Sequence, residues 1–163
     1  MNSMEPMTRE HLLASARQLR PPAAVAAAEF EGKLERMAAE LNRRMLSRPD
    51  VDRLIGGADN RPMMENNSRN FLRFMNSLFR NYEPMVLVET ALWVFRAYRA
   101  HGFQTSYWPA NLDTAVEILK QELSAEVFGE VYPLFDWLIV HIPAFVRISD
   151  QALKEGPGHD AHG

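Results

Sequence analysis

Apolar residues along the chain recur at intervals of three and four, with no convincing alternation, and this spacing predicts helices rather than strands. The first candidate is TREHLLASARQL, in which Thr8 is placed to cap the N-terminus, Leu12, Leu13 and Leu19 offer an apolar side, and Pro21 and Pro22 end the helix. From Pro22 to Ser47, Phe30, Leu34, Met37, Leu41 and Met45 form one stripe among charged neighbours, the pattern of a long amphipathic helix. SRPDVDRLIGG reads as a short helical turn closed by Gly56 and Gly57. A second amphipathic helix is predicted from Pro62 to Arg80, with Met64, Phe71, Met75 and Leu78 on one face and Phe74 and Phe79 widening it. Pro84 opens PMVLVETALWVFRAYRA, which is apolar around most of its circumference and is therefore expected to be the central, buried helix. After a corner at 98–109, PANLDTAVEILKQEL carries Leu112, Val116, Leu119 and Leu123 on one side. Ser124 is placed to cap the last apolar segment, 124–152, which Pro133 and Pro143 are expected to kink or divide.

The fold class expected from this pattern is all-α, a single helical bundle of about six to seven helices. Residues 1–21 read as an N-terminal helical extension, 22–152 as the main helical domain and 153–163 as a disordered tail. A chain of 163 residues buries enough surface to fold without a disulfide or structural metal. Its 47% hydrophobic and 24% charged residues argue against a wholly disordered chain.

Charge narrows the partners. The net charge is −3 and basic residues are scattered among acidic ones, which gives neither nucleic acid nor an acidic membrane surface an electrostatic foothold. The lack of cysteine removes thiolate catalysis, thiolate metal sites and disulfides together, and fits a reducing compartment. The opening MNSMEPMTRE has no basic segment followed by an apolar core, and no run approaches the roughly 20 apolar residues of a membrane span. The expectation is a soluble, cytoplasmic protein.

Few residues offer chemistry. His101, at the end of the 84–100 segment, shares a helical face with Val94, Ala97 and Tyr98. There it has two readings: an imidazole ligand facing an apolar pocket, or a helix-end histidine before Gly102, favoured by the helix dipole and by carbonyls that lack donors. His141 shares a face with Trp137 and Leu138 and reads either as a second pocket residue or as a core histidine bonded to backbone. Asn67 falls between Met64 and Phe71 on an apolar face, where its amide meets a polar ligand or another helix. Glu89, set among Val86, Leu92 and Trp93, is expected to pair with Arg96. No phosphate-binding glycine loop, helical zinc pattern or nucleophile elbow is present, and the paired Glu-x-x-His motifs of di-metal bundles are missing.

In segment order the chain resembles a globin: a long first helix, a short corner, a helix at 62–80, a helix ending at His101, a corner containing Pro109, and two C-terminal helices. Tyr107 and Trp108 beside Pro109 are similar to the corner of bacterial sensor globins, and the likeness covers roughly residues 22–150. It implies a globin-like bundle with His101 in the proximal position as ligand to a haem metal. The corner at 48–60 departs from the pattern by lacking the phenylalanine that usually stacks on haem, and Asn67 or Leu72 stands where a distal histidine, glutamine or tyrosine is usual. Globin-like domains without haem, such as regulatory domains of bacterial stress-signalling proteins, are a second form of the same resemblance.

Three functions follow as expectations. The first is a non-catalytic sensory or regulatory module whose apolar pocket, formed by His101, Asn67, His141, Phe71, Tyr98 and Trp108, holds haem or another small apolar ligand. The second is a helical adaptor that forms a homodimer or binds a protein partner, with the Phe30, Leu34, Met37, Leu41 stripe as one candidate surface. The third is an enzyme using Glu89 and a histidine as acid and base, for which no motif supplies the geometry.

Overall fold

The structure, a computed structural model, describes residues 7–155 and is helical with no strand among them. Among the described residues eight α-helices run in the order α1 (Arg9–Ala16), α2 (Ala24–Leu46), α3 (Val51–Ile55), α4 (Arg61–Arg80), α5 (Pro84–Ala100), α6 (Tyr107–Glu122), α7 (Ala125–Val140) and α8 (Ile142–Glu155), with a 3-10 turn at Ala58–Asn60. The all-α bundle expected from the spacing is what forms. The segment at 124–152 is divided once, at His141, where α7 and α8 meet at a bend of 46°. Pro133 lies inside α7 without breaking it, and Pro143 occupies the first turn of α8, where its missing N–H is not needed. Of the tail expected to begin at 153, residues up to Glu155 are helical, while 156–163, with His159 and His162, lie outside the described residues.

α2 is the centre of the bundle, packed against α4, α6 and α7. Its stripe of Phe30, Leu34, Met37, Leu41 and Met45 is buried throughout, so none of the stripe proposed for dimerisation remains for a second copy. Phe30 meets Phe79 of α4 edge-on at 4.9 Å and Phe135 of α7 at 6.4 Å. Polar residues close the seams outside this core. Asn42 donates to the Glu65 carbonyl, Glu35 pairs with Arg73, and Glu29 accepts from the backbone N–H of Ser124 at the start of α7. Ser124 in turn caps α7 by accepting from Val127.

The helix expected to be central is peripheral. α5 packs against α1 and α8, and only Leu87, Val88, Ala91 and Phe95 are buried on it. Met85, Val86 and Trp93 on the other side are 52%, 40% and 55% exposed. All-round apolarity marks a buried helix only when elements exist to cover every side, and here Met85, Val86 and Trp93 remain exposed among the described residues. Arg99 ties α5 to α8 by an ion pair to Asp150 at 2.6 Å and hydrogen bonds to Ser149 and the Val146 carbonyl.

α1 is tied to the rest of the bundle by both packing and hydrogen bonds. Thr8 and His11 form a reciprocal cap, Leu12 and Ala16 are fully buried, and Tyr82 donates to the Ala16 carbonyl. Ser15 accepts from the Trp137 indole N–H at 2.8 Å. No single helix among the described residues is long and apolar enough to cross a membrane; α7 and α8 reach that length only as a bent pair whose Val131, Leu134, Phe135 and Phe145 are buried in the bundle.

Candidate functional site

α4 and α5 are consecutive but share little contact, because α4 packs on α2 while α5 leans on α1 and α8. The seam between them holds an apolar cavity of about 60 Å³ that is partly open to the surface. Phe71 and Phe74 of α4 wall one side, and Thr90, Ala91, Val94 and Phe95 of α5 the other. Trp108, Asn111 and Leu112 of α6 form the floor, with Leu138 of α7 and Phe145 of α8 at the far end. The walls are aromatic and mutually braced. Phe95 lies 4.8 Å from Trp108 and 5.2 Å from Phe145, and Phe71 meets Phe135 edge-on at 5.6 Å. Such packing holds the cavity open, because none of these rings can turn inward without leaving a neighbour.

Beneath the floor lies a buried polar knot. Asn67 of α4 and Asn111 of α6 both donate to the Tyr107 hydroxyl, at 3.3 and 3.1 Å. Burial pushes the Tyr107 hydroxyl well above the ordinary tyrosine range, and burial likewise raises Tyr82 to about 12. A phenol whose folded pKa is raised contributes stability that is complete below its unfolded pKa of about 10 and is lost as pH rises beyond it. Urea unfolding between pH 7 and 12 is therefore expected to show stability falling steadily above about pH 10. Tyr107→Phe removes the acceptor of both amides, lowers stability at pH 7 by about 1 to 2 kcal/mol, and shows a smaller alkaline loss, so the two curves converge.

The residues singled out from the sequence divide clearly. Phe71 and Trp108 line the cavity. Tyr98 packs edge-on to Trp108 at 5.7 Å but stands behind it, and Asn67 belongs to the polar knot. His141 is half-buried at the end of α7, where its Nδ1 donates to the Trp137 carbonyl at 2.7 Å and its ring lies 4.6 Å from the Trp137 ring. Only through Phe145 does it approach the cavity. His101 is exposed, with φ −90° and ψ 2°, and ends α5 before Gly102 at φ 102°. The face it was expected to share is itself only half-covered at Val94 and Tyr98, and the cover has run out by the helix end, where His101 stands in solvent.

These placements do not fit a haem. No imidazole lines the cavity, His101 is outside it, and a volume of about 60 Å³ is below the roughly 150 Å³ that accommodates one benzene ring. The acid and base of the enzyme reading are also apart: Glu89 is exposed and pairs with Arg9 of α1, on an open surface groove that no histidine lines. No cluster of three or more His, Cys, Asp or Glu side chains suited to a metal ion occurs among the described residues. Sequence reasoning missed Phe74, Thr90, Ala91, Val94 and Asn111. The signals available were the four-residue step from Tyr107 to Asn111, the place of Phe74 on the apolar face of its helix and that of Val94 on the face shared with Tyr98. No protein-family model matches the chain, no curated protein is significantly similar to it, and no solved structure matches it.

Proposed function

We propose that this chain is a non-catalytic regulatory module, globin-like in the order of its helices, that takes a small apolar ligand into the cavity between α4 and α5. The observation that carries the reading is the cavity itself. It is ringed by braced aromatic side chains and lies where two consecutive helices part. With no polar atom exposed on its walls the cavity offers water no hydrogen-bond partner, so an apolar guest gains contact with the walls without breaking a hydrogen bond. The volume favours a guest smaller than an aromatic ring, such as a short alkyl chain or a gas atom. Regulation follows from position, because a guest that wedges Ala91 and Val94 away from Phe71 and Phe74 changes how α5 and α8 rest on the α2-centred layer.

Thermal unfolding under xenon or butane tests this directly. The wild type is expected to gain stability in either gas, in proportion to the logarithm of its pressure at saturation. Ala91→Leu fills the space with its own side chain and is expected to raise stability by about 1 to 2 kcal/mol while abolishing the response. A response that persists in Ala91→Leu, or none in the wild type, overturns the reading.

A further inference from the structure

Ser68 of α4 is fully buried, and its hydroxyl oxygen has no hydrogen-bond partner. A buried oxygen in that state costs free energy that a neighbour within reach would recover. The neighbour is Tyr107. Burial is the main cause that raises the Tyr107 hydroxyl, while Asn67 and Ser68 both act against the rise, so the two side chains stand at the same oxygen. Of the two only Asn67 holds a bond there, and at 3.3 Å it is longer than the 3.1 Å bond from Asn111 within α6. In both bonds the tyrosine oxygen accepts, so its own hydrogen is spent on neither.

The order of residues around α4 decides what would exchange the partners. At 100° per residue, Phe74 lies about 20° from Asn67 on the side of the exposed Arg73 and Ser77. Ser68 lies about 100° from Asn67 on the opposite side, with the buried Leu72 and Met75. A roll of α4 that lets Phe71 and Phe74 give way to a guest therefore carries Asn67 outward and brings Ser68 to the Tyr107 hydroxyl. α4 shares little contact with α5 or α6 and is held chiefly by α2, so few contacts oppose such a roll on the cavity side. Asn111 lines the cavity and bonds the same oxygen from within α6, which keeps Tyr107 in place during the exchange.

We propose that Tyr107 is a two-position latch for the cavity: with the cavity empty its oxygen accepts from Asn67, and with a guest between α4 and α5 its hydroxyl donates to Ser68 instead. The latch rests on the ligand reading above and gives it two discrete arrangements of α4 between which a guest selects.

The experiment is xenon affinity, read from thermal unfolding over a pressure series, with circular dichroism to establish that each variant is folded. Asn67→Leu, close to isosteric, removes the bond of the empty state and is expected to tighten xenon about fivefold. Ser68→Ala removes the bond of the occupied state and is expected to weaken xenon about fivefold. In a Tyr107→Phe background both effects vanish, because neither side chain then has a partner to lose. Opposite signs at adjacent residues separate a latch from a general loosening of α4, which moves both variants the same way and overturns the proposal. A wild type that ignores xenon overturns the ligand reading and the latch together. Equal affinity in the wild type, Asn67→Leu and Ser68→Ala overturns the latch alone, and so do effects that survive in Tyr107→Phe.

Discussion

Phe135→Ala is expected to lower the unfolding free energy by about 3 to 5 kcal/mol, read as a drop in urea midpoint at unchanged slope. Phe135 is fully buried on α7 and touches rings from three directions: Phe71 at 5.6 Å, Phe79 at 6.3 Å and Phe30 at 6.4 Å. Its ring is where the α2, α4 and α7 sides of the core meet, so truncation loses both transfer free energy and the contacts of a cavity that helices cannot collapse to fill. One further outcome separates this residue from an ordinary core position. Phe71 also lines the cavity between α4 and α5, so the new void adjoins the old one. Benzene, too large for the wild type, is expected to raise the stability of Phe135→Ala. A midpoint unchanged within error contradicts the central place assigned to this ring.

The second large effect is expected at a glycine. Gly56 has φ 85°, and a Cβ built there stands 2.5 Å from the carbonyl oxygen of Gly102. Gly56→Ala therefore combines left-handed strain of about 1 to 2 kcal/mol with overpacking against backbone of about 1 to 3 kcal/mol. A total loss of about 2 to 5 kcal/mol by urea denaturation is expected. Backbone cannot rotate away as a side chain would, because the same corner is fastened by Gln104 N–H donating to the Leu54 carbonyl at 2.8 Å. The Asn60 amide also bridges the Ile55 and His101 carbonyls at 2.7 and 2.9 Å. Gly32→Ala is the matched control: Gly32 is helical with nothing within 4 Å of the added carbon, and alanine there should stabilise by about 0.5 to 1 kcal/mol. Equal effects at the two glycines would refute the close approach of the α3 and α5 corners.

Helix positions were legible in the sequence because a 3.6-residue period leaves a stripe wherever a helix has one covered side. The Phe30 to Met45 stripe of α2 and the Thr8 and Ser124 caps stand where the pattern put them. What period cannot reveal is how many neighbours a helix has. α5 carries apolar residues around most of its circumference, yet α1 and α8 cover only part of it, and its rank in the bundle was therefore misjudged. The site suffered in the same way. Phe71 and Trp108 are large aromatics on apolar faces and were visible one helix at a time. Ala91 and Val94 matter only because α4 parts from α5 opposite them, a fact of arrangement that no single segment contains. For His101 the residue one place on was informative: Gly102 takes a left-handed conformation and closes the helix, and the exposed imidazole stands at that helix end.

The docking of α1 also fixes an order of events. Its eight residues are too few to hold a helix alone in water, so it depends on partners that lie far along the chain. Tyr82 is 66 positions from the carbonyl it binds, and Trp137 is 122 positions from Ser15. As the chain leaves the ribosome, α1 emerges before every one of these partners and has no complete surface to settle on until α7 has followed it out. A segment made before all its partners is thus among the last of them to find its place, and Leu12 and Ala16 wait uncovered in the interval.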